Sequence, residues 1–277
     1  DVDVVAGGAI NINATGDITL QSVAAPDQVN LTAQAGSILD DGANGTVVQA
    51  TTATLAASAG VGAAGAAGQV DTTVGTLNVS AASGSVFIGE TDAITLNSLS
   101  AAGAGNDVTV VSAAQNMTVV NVTAPDQVNL NAQAGSILDD GVAGIAVTAN
   151  GATLSAGADI GAGGVPLTTS VSTLVADTTV NGNITVDNAI ALTLTAIAGG
   201  TGAINVVVQN GDLSLILVQA GPASGTPAGA TNDVVLTANN GSILDGDLGD
   251  FPGDVDIKAN DVTLSATGVV GGPGAGE

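Results

Sequence analysis

One stretch of this chain occurs twice almost unchanged. Residues 26–42 read PDQVNLTAQAGSILDDG and residues 125–141 read PDQVNLNAQAGSILDDG, differing only at Thr32 against Asn131. The copies are 99 residues apart, and a looser third copy, NDVVLTANNGSILDG at 232–246, places its GSILD 106 residues after the second. A second landmark keeps the first of these steps: ATLAASAGVGAAG begins at Ala53 and ATLSAGADIGAGG at Ala152, with VTLSATGVVGGPG following at Val262. A long internal period restricts the chain to architectures that stack like units on like. The expected units are 26–124 and 125–231, flanked by partial ones at 1–25 and 232–277. Together they would form one continuous segment over 1–277, a piece of a longer array.

Within each unit runs a finer rhythm. Short segments rich in β-branched residues recur at 18–20 (ITL), 29–31 (VNL), 53–55 (ATL), 76–79 (TLNV), 94–96 (ITL), 108–111 (VTVV) and 117–120 (MTVV). Clusters of Gly, Asn, Asp and Ser separate them, which is the signature of strands and turns. No apolar stripe of helical period is sustained. The segment spacing predicts an all-β parallel solenoid with coils of roughly 20–30 residues. Composition selects it over sandwiches: the chain has no Trp or Tyr and two Phe. Such a core suits thin layers of stacked Val, Ile, Leu and Ala. Val29, Leu31, Val128 and Leu130 should point inward, with Asn30, Thr32, Gln34, Asn129 and Gln133 outward.

Charge limits the partners. Twenty-five acids face one base, Lys258, for a net charge of −24. Nucleic acid needs Lys and Arg against its phosphates, and anionic membranes need them too. No apolar run is long enough for a transmembrane helix. Without His or Cys, Ser or Cys nucleophiles lack their usual base partners. Paired carboxylates remain as candidates, at Asp40–Asp41, at Asp139–Asp140 and around Asp245 and Asp247. A pair repeated in each unit reads as a turn, since a catalytic pair needs asymmetric surroundings. No enzyme is expected. Weak calcium binding is the alternative reading of these aspartates: Asp40, Asp41, Asp139, Asp140, Asp245, Asp247, Asp250, Asp254 and Asp256 offer hard oxygens beside glycine turns. Their spacing matches neither an EF-hand nor a calcium-binding nonapeptide. GVGAAG at 60–65 fits a dinucleotide fingerprint formally, but no helix follows it.

The GSILDDG motif, the D-[VI]-T-[LV] strands and the ATLSAG–GxG segments resemble repeats of giant bacterial surface exoproteins of the filamentous-haemagglutinin type and related large adhesins. The resemblance implies a right-handed parallel β-helix, export across the bacterial envelope, an extracellular or cell-surface location and a role as a rigid stalk or fibre. It also implies host or matrix glycans and proteins as partners. Two other functions stay open: a filament or sheath subunit stacked end to end, and a carbohydrate-active β-helix enzyme by analogy of fold.

Overall fold

The computed structural model describes residues 2–43, 45–162, 164–221, 231–247 and 255–271. Among these there is no helix: the chain runs through short strands, and the pairings between them are parallel, with one isolated antiparallel bridge. Its backbone winds into the stacked coils of a β-solenoid. The coils fall into two compact units, 1–135 with 147–149, and 136–146 with 150–277.

In the first unit, Val29, Ala53, Leu77, Leu96 and Val119 lie one above another. Their numbers give coils of 24, 24, 19 and 23 residues. Each coil adds about 4.8 Å, the spacing of hydrogen-bonded strands. The core is a set of vertical columns. Leu31, Leu55, Val79, Leu99, Val122 and Val147 form one. Ile18, Ile38, Val61, Val86, Val108 and Val128 form a second, and Ala14, Ala33, Ala57, Ala81 and Ala101 a third. All but Ala14 are buried. Like-on-like stacking is how a thin interior is filled without rings: each side chain meets one of similar shape above and below, at the packing density of ordinary cores.

The 99-residue repeat is not a whole number of coils. Four coils carry the column of Val29 to Val119, and the copy of Val29 is Val128, nine residues further on. Val128 stacks instead on Val108 and Val86, in the Ile18 column. Successive copies of one sequence therefore occupy different ladders of the same unit.

The second unit repeats the design. Ile137, Ile160, Ile184, Ile204 and Val234 form its column, with coils of 23, 24, 20 and 30 residues. The longest coil contains residues 222–230, outside the described set, and accommodates the longer second step between repeats.

The expected alternation holds. Val29, Leu31, Val128 and Leu130 are buried, Gln34 and Gln133 exposed, and Asn30, Thr32 and Asn129 half-buried. Side-chain ladders also form: Asn30 Nδ2 donates to Asn11 Oδ1 at 2.8 Å and Asn97 Nδ2 to Asn78 Oδ1 at 2.7 Å.

Candidate functional site

The GSILD landmark is built around a close approach of backbone to backbone. A Cβ on Gly36 would press on Asp17 and Gly16, one on Gly135 on Gln115 and Asn116, and one on Gly241 on Gly211 and Asp212. In each copy the glycine lies against the turn of the preceding coil. Isoleucine then enters the core, at Ile38, Ile137 and Ile243.

The acids that follow bend the chain. Asp40 Oδ2 accepts from the Gly42 amide at 2.8 Å and Asp41 Oδ1 from Ala43 at 2.9 Å. Asp139 Oδ1 accepts from Gly141 at 2.9 Å and Asp140 Oδ1 from Val142 at 3.0 Å. Asp245 Oδ1 accepts from Asp247 at 3.1 Å. These are Asx turns, in which a carboxylate bonds the amide two residues on. Gly42 and Gly141, with φ of 85° and 75°, supply the left-handed step that closes the first two. The paired carboxylates are turn-builders in both nearly identical copies.

The two copies differ in what the next coil brings to them. Asp139 Oδ2 accepts from Thr168 N at 3.0 Å and Thr168 Oγ1 at 2.8 Å. Thr168 is fixed there because its carbonyl accepts from Ala146. In the first copy Val47 donates in the same way to Asp71. Asp40 thus faces a like charge where Asp139 has two donors, and its Oδ1 is buried without a hydrogen bond. Burial raises the Asp40 pKa, with Asp41 and Asp71 adding to the rise; burial raises that of Asp71 as well. Asp71→Thr recreates the second arrangement. It should stabilise the first unit at neutral pH by about 1 kcal/mol, reduced by solvent screening. Both carboxyls are raised, so their cost appears as pH rises and vanishes in acid, where both are neutral in the folded and unfolded chain. Urea unfolding at neutral and acidic pH should show the gain only in the first.

Other aspartates tie one coil to the next. Asp17 Oδ1 accepts from Ser37 N at 2.7 Å, Asp107 Oδ1 from Gln127 N at 3.0 Å, Asp159 Oδ1 from Asn183 N at 2.7 Å and Asp212 Oδ1 from Ser242 N at 2.8 Å. Each stands just before a buried Ile, Val or Leu and satisfies an amide that the turn would leave open.

Two of the buried polar side chains that sequence reasoning did not find are Glu90 and Asn188. Glu90 is only 2 % exposed and Asn188 is fully buried. They hold corresponding places in the two units. Thr72 Oγ1 and Val74 N donate to Glu90 Oε2, at 2.7 and 3.2 Å; Thr169 Oγ1 and Val171 N donate to Asn188 Oδ1, at 2.8 and 3.0 Å. Asn188 Nδ2 also donates to the carbonyls of Val171 and Ile190, at 3.1 and 2.7 Å. Both side chains satisfy backbone groups inside a coil corner. Burial pushes the Glu90 carboxyl up to about 7, against the hydrogen bond from Thr72, and the neighbouring Asp92 carboxyl adds to the rise.

Among the described residues one set of three carboxylates converges. Asp245, Asp247 and Asp256 each bring an oxygen within 4.8 Å of the others. Asp250 and Asp254, expected beside them, lie outside the described residues. Three oxygens are fewer than the roughly six to eight that calcium takes. Asp40 and Asp41 in the first unit, and Asp139 and Asp140 in the second, join no such set of three among the described residues.

Comparison with protein-family models, with curated proteins and with solved structures returns no match. Among the described residues no helix is long and apolar enough to cross a membrane.

Proposed function

We propose that this chain is a structural segment of a bacterial surface adhesin or filament of the filamentous-haemagglutinin kind, working outside the cell by supplying length and stiffness. One observation carries the reading: the acids and amides that recur at turns and coil corners bond to the protein's own backbone. The aspartates before the strands, the Asx turns and the buried Glu90 and Asn188 all do so. An enzyme needs a place where the polar groups of one repeat converge on something else, and a stalk does not. On this reading the chain is not an enzyme, and its partners are glycans or proteins met by other parts of the fibre.

Tandem addition of 99-residue copies tests it. Each copy adds four coils and the step to the next ladder, so electron microscopy should find particles longer by about 20 Å per copy at constant width. Particles that widen instead, or release of reducing ends from a polysaccharide panel by the purified chain, would defeat the proposal.

A further inference from the structure

The first unit contains a buried acid with no base to answer it. The one Lys or Arg of the chain is Lys258, in the second unit, and there is no His. Glu90 therefore cannot form an ion pair within its own unit. Four donors bond it: Thr72 Oγ1 and Val74 N on Oε2, and Thr91 N at 2.9 Å and Asp92 N at 3.3 Å on Oε1. They draw together the strand Val70–Ala81, the end of the strand Val86–Glu90 and the turn that follows. Beside Glu90 stands Asp92, within hydrogen-bonding reach of it. Asp92 Oδ1 is buried and receives no hydrogen bond. A carboxylate this close disfavours charge on the buried Glu90, whose O–H, when present, supplies a donor to Asp92.

The remaining surroundings offer no other charge to balance the pair. Asp71, on the adjoining strand, turns outward over Gly89. The strand Val108–Ser112 on the other side carries no titratable group, and neither does Ile94–Ala101. A groove of about 260 Å³, lined among others by Gln69, Asp71, Gly89, Thr91 and Gln133, reaches Glu90 and gives its proton a path to water. In the second unit the same corner is closed by Asn188, which accepts from the equivalent donors and donates to two carbonyls. An amide keeps that corner satisfied at every pH.

We infer that Glu90, set beside Asp92, is a proton-operated latch on the corner of the first unit, closed while Glu90 holds a proton and loosened when it is lost. The second unit, with Asn188 in place of the acid, lacks the latch and serves as its internal reference. The sign follows from linkage. In the opened corner Glu90 regains its ordinary carboxyl behaviour and releases its proton at lower pH than in the closed one. The closed form therefore binds more protons across the interval, and its stability falls as pH rises from about 4.5 to about 7, then levels.

Glu90 and Glu277 are the only glutamates, so glutamate labelled with ¹³C at the carboxyl gives two resonances. One should titrate with a midpoint near 7 and lose that midpoint in Glu90→Gln. Two midpoints in the ordinary carboxylate range overturn the proposal. Hydrogen exchange provides the second measurement. After correction for intrinsic rates, protection of the Val74 and Thr91 amides should fall on the order of 50–100-fold between about pH 5 and about pH 8, while Val171 changes little. Equal loss at Val74 and Val171 sinks the latch, and so does a loss that survives in Glu90→Gln. Should Glu90→Gln fail to fold, the comparison of Val74 with Val171 within the unaltered chain still decides.

Discussion

Gly135→Ala should destabilise the first unit by about 3 kcal/mol, the upper range for forcing atoms into a packed place. A Cβ there would lie 2.7 Å from Asn116 N and closer still to the Gln115 carbonyl. Those atoms belong to the backbone of the coil beneath, so no rotamer change can clear them. The coil must lift, and lifting it strains hydrogen bonds to the coil below, among them Gln133 N to Ser112 O at 2.9 Å. Urea unfolding followed by circular dichroism should show the midpoint falling. Gly105→Ala offers a contrast: its Cβ would meet nothing within 4 Å, though its φ of 76° adds a smaller backbone strain. A Gly135→Ala midpoint equal to that of the unaltered chain would mean the coils do not pack as described.

Leu55→Ala is expected to cost about 3 kcal/mol, the middle of the range for emptying a sealed aliphatic site. Leu55 is fully buried in the column of Leu31 and Val79. The coils are pinned above and below by strand hydrogen bonds, which leaves the cavity little freedom to collapse. Thr54→Ala, on the outer face of the same strand, should change stability by less than about 0.5 kcal/mol. Because coils touch mainly their neighbours, the loss should be greatest near Leu55. Amide exchange at Leu31 and Val79 should quicken more than at Leu194 or Val206 in the second unit. Uniform quickening across both units would contradict a nearest-neighbour stack.

The strand rhythm and the shortage of aromatic residues made the solenoid legible in the sequence. Both are direct consequences of filling a thin interior: a ring as large as Trp has no layer to lie in, and each coil must offer small aliphatics at matched places. The inward set Val29, Leu31, Val128 and Leu130 followed from alternation alone. The turn role of Asp40–Asp41 and Asp139–Asp140 was legible from duplication. The partners of the other aspartates were not. Asp17, Asp107, Asp159 and Asp212 each precede Ile, Val or Leu, and that pairing was visible in the sequence. The amide each one reaches lies 20 to 30 residues away, on the next coil, where local reasoning does not extend. Glu90 was hidden for a related reason. It is the one described glutamate in a chain whose other acids sit on turns or outward faces, but its burial depends on the inward phase of Val86 and Ile88. Alignment of Glu90 with Asn188 would have raised the question; only the shared donors from Thr72 and Thr169 answered it.

The nine residues by which the repeat exceeds four coils affect how the surface would be recognised. PDQVNL at 26–31 and PDQVNL at 125–130 are identical peptides, yet their strands belong to different ladders of the first unit. An antibody raised against one would find its epitope on two sides of that unit, among different neighbours. Any receptor that reads this hexapeptide would meet it in more than one direction, so a binding partner need not approach from a fixed side to be captured.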